Sequence, residues 1–120
     1  MTMVLKRVYE SRSDADGFRV LVDRLWPRGL SKDKAHIDLW EKNLAPSNEL
    51  RKWFNHEVDK WHEFQHRYRE ELMAEPEEVR AFRRILDQHP VVTLLYGAKD
   101  KEHNQAVVLR DYLLKGDPKP

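Results

Sequence analysis

The segment Asp23-Arg24-Leu25-Trp26-Pro27-Arg28-Gly29 concentrates groups able to hold an anion. Arg24 and Arg28 are fork-shaped donors matched to phosphate or carboxylate. Trp26 offers a flat face to a ring or a guanidinium, and Gly29 lets a ligand approach the backbone. A second segment, Tyr96-Gly97-Ala98-Lys99-Asp100-Lys101-Glu102-His103-Asn104, adds the charge pair Lys99 and Asp100 and the polar groups His103 and Asn104. His103 is the candidate catalytic acid or base, since an imidazole exchanges its proton near neutral pH. Structural roles compete at the same positions. Asp23 and Arg24 can pair within the fold, Trp26 can be core, and Asn104 can cap a helix.

A third pattern, His62-Glu63-Phe64-Gln65-His66, matches the H-E-x-x-H signature of zinc proteases. Its orientation decides against that chemistry. At about 100° per residue the two histidines point roughly 135° away from the stripe Trp61, Phe64, Tyr68 and Leu72, into solvent. Arg69 and Leu72 stand where the extended motif needs its glycine and third histidine. No metal site is expected, and no cofactor is implied elsewhere in the chain.

Several elements are needed to position these groups. Val4 to Tyr9 and Phe18 to Asp23 read as strands, and the continuous Val20-Leu21-Val22 suits a strand buried on both faces. Pro27 forces the segment after Asp23 into a loop. Ile37 to Leu39 is a short candidate strand. Ser47 caps a helix with Glu49 in its first turn and Leu50, Trp53 and Phe54 on one face. Asp59 is the expected cap of the next helix, which carries the Trp61 stripe. Pro76 opens a third, with Val79, Phe82 and Leu86 inward. Val91 to Tyr96 is apolar without alternation, as a central strand should be. His103 to Leu114 forms the last helix. This order predicts an α/β fold, a small, mainly parallel sheet of three to four strands flanked by about four helices. The segment joining the first two strands is short for a parallel crossover, which usually takes about a dozen residues or more.

In open parallel sheets, ligands bind beyond the carboxyl ends of the strands and at helix N-termini. Both polar segments fall there. The candidate ligand residues are therefore Asp23, Arg24, Trp26, Arg28, Gly29, Tyr96, Lys99 and Asn104, with Trp26 and Tyr96 as walls and His103 as the acid or base.

At 120 residues the chain has the size of one domain, expected over residues 1–115 with 116–120 as a flexible C-terminal tail. The absence of cysteine excludes disulfides, thiolate metal sites and thiol nucleophiles. It also fits a reducing compartment. The stretch from Met1 to Arg7 turns charged too soon for a signal peptide, and no apolar run approaches the roughly 20 residues that span a bilayer. A cytoplasmic location is expected. The 22 basic and 21 acidic residues leave a net charge of +1, so any attraction for anions has to be local.

The run Val20-Leu21-Val22-Asp23-Arg24-Leu25-Trp26-Pro27-Arg28-Gly29 resembles the small bacterial YeaO-like family, part of a larger family of domains of unknown function. The resemblance continues through Leu44-Ala45-Pro46-Ser47, Glu49-Leu50-Arg51-Lys52-Trp53-Phe54, Leu94-Leu95-Tyr96, Lys99-Asp100 and His103-Asn104, nearly the whole chain. It implies no established activity. In the wider family a strand ends in an Asp-x-Arg-like motif, a late strand in Cys-x-Glu, and the last helix opens with Cys-His-Arg. Here Asp23 and Arg24 are adjacent. Tyr96 and Ala98 stand at the Cys and Glu positions, and His103, Asn104 and Gln105 at those of Cys-His-Arg. Whatever those groups do in relatives, a thiol mechanism does not transfer to this chain.

Three functional readings remain open at the level of sequence. The favoured one is a pocket for a small anionic ligand, a nucleotide or phosphorylated metabolite, with or without catalysis. The second is a nucleic-acid-binding accessory protein using Arg67, Arg69, Arg80, Arg83 and Arg84. The third is a non-catalytic protein-interaction module. Oligomeric state is not legible.

Overall fold

A computed structural model describes residues 1–115. The expected tail, 116–120, lies outside the described residues. The strands are β1 (Thr2–Arg7), β2 (Phe18–Leu21), β3 (Leu39–Trp40) and β4 (Val91–Tyr96). The helices are α1 (Lys32–Ala35), α2 (Asn48–Phe54), α3 (Trp61–Met73), α4 (Pro76–Leu86) and α5 (Gln105–Lys115). All strand pairs are parallel, in the order β1-β4-β2-β3, so the α/β arrangement is as expected. No helix among the described residues is long and apolar enough to cross a membrane.

β4 is central and buried on both faces, as its unbroken apolar run requires. Its residues alternate between two layers. Val92, Leu94 and Tyr96 join Met3, Val20 and Val22 in the main core, packed against Leu50 and Phe54 of α2, Phe64, Tyr68 and Leu72 of α3, Phe82 of α4 and Leu109 of α5. Leu95 faces the other way, with Leu21 and Val8, under Trp26, Leu30, Ile37 and Trp40. Helices α2 to α5 thus serve one face of the sheet. The connection from β2 to β3 covers part of the other.

The short link between β1 and β2 works because it needs no helix of its own. Apart from a 3-10 turn at Asp14–Asp16, residues 8–17 run without regular structure. Extended, they reach roughly 33 Å, against a return of about 20 Å along the sheet and about 10 Å across β4. Gly17 ends this link at φ +63°, where a Cβ would lie 2.3 Å from the carbonyl oxygen of Val91. Only glycine fits there.

That second face carries a buried ion network. Arg19 of β2 is 2 % exposed. Its Nη1 donates to the Asp16 carboxylate, its Nε to the His36 carbonyl at 2.9 Å and its Nη2 to the Ala35 carbonyl at 2.9 Å. The last two bonds satisfy carbonyls at the end of α1. Lys6 Nζ adds a contact to Asp16 at 3.1 Å, and the Ser13 N–H donates to the same carboxylate at 3.0 Å. Burial alone pushes the Asp16 carboxyl up, but the Ser13 N–H, Lys6 and Arg19 more than offset it and hold it below its usual range.

Several boundaries differ from expectation: β1 covers Thr2–Arg7 rather than Val4 to Tyr9, and β2 ends at Leu21 rather than Asp23. Asp59 is not a helix cap. It sits inside a 3-10 turn, Val58–Lys60, that runs directly into α3 with no side-chain cap. α5 begins at Gln105 rather than His103, because the Asn104 side chain turns back to accept the Val107 N–H at 3.2 Å. β3 covers Leu39–Trp40 rather than starting at Ile37, whose side chain packs into the smaller core. Ser47 caps α2 and Pro76 opens α4 as expected.

Candidate functional site

A cleft of about 310 Å³ opens beyond the carboxyl ends of β2 and β4. Of the sequence candidates it brings together Asp23, Arg24, Trp26, Arg28 and Asn104. Gly29, Tyr96, Lys99 and His103 do not line it. The sequence reading missed Tyr9, Arg51, Phe54, His56, Phe64 and Gln105, which do.

The floor is built around Asp23, the residue two beyond the end of β2. Its Oδ2 accepts the Gly97 N–H at 2.9 Å, and its Oδ1 accepts from Gln105 Nε2 at the start of α5. Its backbone carbonyl accepts Trp40 Nε1 at 2.7 Å. The half-buried carboxyl is pushed up to about 6 by burial, against the opposing pull of the Gly97 and Gln105 donors. It therefore sits close to its own titration at neutral pH.

Asn104 is 1 % exposed. Its Oδ1 caps α5, and its Nδ2 donates to the Asp100 carbonyl at 2.9 Å. Its contribution to the cleft is to fix the start of α5 and, through Gln105, the Asp23 carboxylate.

Arg24 has a structural engagement. Its Nε donates to the Pro46 carbonyl at 2.8 Å and its Nη2 to the Ala45 carbonyl at 3.1 Å. These bonds hold the turn that leads into α2. That turn is also held from α3, where Glu71 accepts the Ser47 N–H at 2.8 Å and the Ser47 hydroxyl at 2.6 Å. The wall containing Pro46, Arg51 and Phe54 is thereby clamped.

Trp26 donates its Nε1 to the Leu30 carbonyl at 2.6 Å and meets Trp40 edge-on at 5.4 Å. It is a rigid wall as well as part of the smaller core. Phe54 and Phe64 stack on each other at 4.3 Å and form the opposite apolar side. The post-β4 loop is fixed by Arg7, whose Nε donates to the Ala98 carbonyl at 2.8 Å.

Arg28 and Arg51 differ from Arg24. Both are exposed cleft residues, and neither guanidinium has a hydrogen-bond or ion-pair partner among the described residues. Asp23 is the one acid among the described residues that line the cleft. The rim is cationic and the floor is a single, easily protonated carboxyl.

The residues left out of the cleft have other surroundings. His103 pairs its Nδ1 with Asp100 Oδ2 at 2.9 Å and sets its ring edge-on to Trp61 at 5.2 Å. The Glu102 N–H and the His103 ring hold Asp100 below the usual carboxylate range. Tyr96 is buried in the main core. Lys99 is exposed, and Gly29 stands at φ +73° with open space around it. His62 and His66 are both exposed, on the side of α3 away from Phe64, Tyr68 and Leu72, and His66 pairs with Glu70 at 3.2 Å.

An all-parallel sheet with a cleft at its carboxyl edge, floored by a strand-end aspartate and rimmed by arginines, defines a small α/β protein with a preformed ligand-sized cavity. The chain belongs to the family described as the inactive DUF488-N3 subclade, whose model matches residues 2–117. Among curated proteins it is 43% identical over 113 residues to "Uncharacterized protein YeaO" of Escherichia coli (strain K12), covering 94% of this chain and 97% of that one. It is 41% identical over 107 residues to "Uncharacterized protein Rv3073c" of Mycobacterium tuberculosis (strain ATCC 25618 / H37Rv), covering 89% of each chain. The YeaO-like resemblance of the sequence is thus a family membership. No solved structure gives a significant match.

Proposed function

We propose that this protein binds a small anionic ligand in the cleft between the post-β2 loop and α2, and does not transform it. The observation that carries this reading is a pair of guanidiniums without a partner among the described residues, Arg28 and Arg51, on the rim of a cavity with largely apolar walls. A guanidinium without a carboxylate partner keeps its donors free for an incoming phosphate or carboxylate.

Several features speak for binding without turnover. The family description reads "inactive". Of the positions that correspond to Cys-x-Glu and Cys-His-Arg in the wider family, Ala98, Asn104 and Gln105 face the cleft. None of the three is a nucleophile or a titrating group. His103, the acid or base suggested by sequence, is occupied by Asp100 away from the cavity.

A nucleic-acid surface on the helices finds less support. Arg67 pairs with Glu63, Arg69 with Asp111 and Arg80 with Glu77, so much of that basic face is neutralised internally.

The test is a thermal-shift series with inorganic phosphate, ribose 5-phosphate, nucleoside monophosphates and dicarboxylates. A bound ligand at about 100 times its Kd adds roughly 2.7 kcal/mol, a shift of several degrees for a domain of this size. Arg28→Ala and Arg51→Ala should each weaken binding about tenfold or more with little change in the melting temperature of the free protein. An absence of any shift across the series would sink the reading.

A further inference from the structure

An anion site explains the rim of the cleft but not its floor. A bare phosphate would gain nothing from Asp23 and would be repelled by the carboxylate, and a sugar phosphate would offer it only hydroxyl donors. Yet Asp23 lines the same cavity as Arg28 and Arg51. Its two oxygens take one donor each from the protein, the Gly97 N–H and the Gln105 amide. A carboxylate has roughly four acceptor positions, so both oxygens keep capacity for a further donor. The site therefore suits a ligand with an anion at one end and a pair of adjacent hydrogen-bond donors at the other. Between these ends stand the apolar walls of Trp26, Phe54 and Pro46, suited to a flat ring.

We propose that the ligand is a free guanine mononucleotide, with its N1–H and 2-amino group on the Asp23 carboxylate, its base between the apolar walls and its phosphate at Arg28 and Arg51. This deepens, and rests on, the anion-binding reading above. Guanine presents two neighbouring donors that match the carboxylate fork. Adenine and cytosine place a ring-nitrogen acceptor beside their amino group, which would face the carboxylate lone pairs. Uracil flanks its single N–H with carbonyl oxygens. The cleft volume of about 310 Å³ lies at the small end of the range for ligand sites, about 300–1,000 Å³, and so suits one nucleotide rather than a dinucleotide or a strand.

Isothermal titration at pH 7.5 tests this with GMP, IMP, AMP, ribose 5-phosphate and a short single-stranded oligonucleotide containing guanine. GMP is expected to bind about tenfold to a hundredfold more tightly than AMP or ribose 5-phosphate, because it adds two charge-assisted hydrogen bonds at Asp23, whereas AMP would turn a ring-nitrogen lone pair toward the carboxylate and ribose 5-phosphate has no base. IMP, which lacks the 2-amino group, should fall between them. Asp23→Asn should bring GMP down to the level of AMP while ribose 5-phosphate binding persists. Equal affinity for GMP and ribose 5-phosphate would overturn the guanine proposal and leave the anion reading standing. Failure of every ligand would overturn both. An oligonucleotide that binds more tightly than GMP would overturn the free-mononucleotide assignment, and so would undiminished GMP binding by Asp23→Asn. The comparison of GMP with IMP uses the unmodified protein and stands whether or not the variant folds.

Discussion

The Asp23 carboxylate lies so close to the Gly97 backbone that a Cβ there would press on it. Oδ2 accepts the Gly97 N–H at 2.9 Å, and a Cβ at Gly97 would lie 2.9 Å from the same oxygen. The loop after β4 and the residue two beyond β2 are thereby joined across the cleft floor by one bond that a Cβ at Gly97 would crowd. Gly97→Ala should displace the carboxylate, lengthen or break that bond and leave its donor short of a partner. A loss of about 1–3 kcal/mol is expected, read as a lower urea midpoint with an unchanged slope. An alanine variant as stable as the parent would show that Asp23 has room to move.

Asp23 also makes a signed prediction about pH. Its carboxyl is raised from 3.8 to about 6 in the folded chain, so the native state holds the proton more tightly than the unfolded one. Stability from this group is full at low pH, falls as pH rises between about 4 and 6, and is flat above. The whole penalty is at most about 3 kcal/mol. Asp23→Asn removes the titration. Relative to the parent, the variant should gain stability between pH 4.5 and pH 7.5, measured by urea unfolding at each value. Asp16 does not confuse the comparison, because its carboxyl is held low and is ionised at both values. A difference between variant and parent that is the same at both pH values would contradict the assignment.

The Arg19–Asp16 pair makes the opposite electrostatic case. Here the carboxyl is depressed, so its stabilisation is present above about pH 4 and lost as pH falls through the lowered folded value. Asp16→Asn leaves Arg19 buried with its main partner neutralised and should cost about 3 kcal/mol. Arg19→Met alone strands the carboxylate beside Lys6 and costs less. The double variant should recover part of the loss, since neither an unpaired guanidinium nor an unpaired carboxylate then remains buried. Additive losses in a double-mutant cycle would show that the two groups do not act as a pair.

Legibility followed how local each determinant is. Ser47 and Pro76 announce their helices because a cap and a first-turn proline act within one turn of chain. Val91–Tyr96 announces its central place because burial on both faces leaves no room for a polar residue other than Thr93, whose hydroxyl donates to the Asp16 carbonyl at 2.7 Å. Parts of the two polar segments lie at the cleft because strand ends are where such sheets open, while Gly29, Tyr96, Lys99 and His103 do not line it. Asp59 misled for the same local reason, since a 3-10 turn before α3 looks like a cap in sequence. Arg51 and Gln105 were not legible as site residues. Each is an ordinary helix residue until α2 and α5 are placed across the cleft from one another. The pairing that separates Arg24, bonded to Ala45 and Pro46, from the unpartnered Arg28 is likewise tertiary.

The position of β4 has a consequence for how the molecule comes into being. β1 and β2 do not touch as strands, and the only element that bridges them is the one encoded near the end of the chain. During synthesis the first two strands leave the ribosome with edges exposed and no common partner. The helices α2 to α4 emerge next, with no finished sheet to cover. The centre of the sheet arrives after them, as a wedge that only α5 follows among the described elements, and the ends of β2 and β4 that frame the cleft meet only then. Assembly of this kind rests on contacts distant in sequence, which slows folding relative to a helical bundle of equal size. It also means that the cleft is complete only once β4 and the start of α5 are both in place.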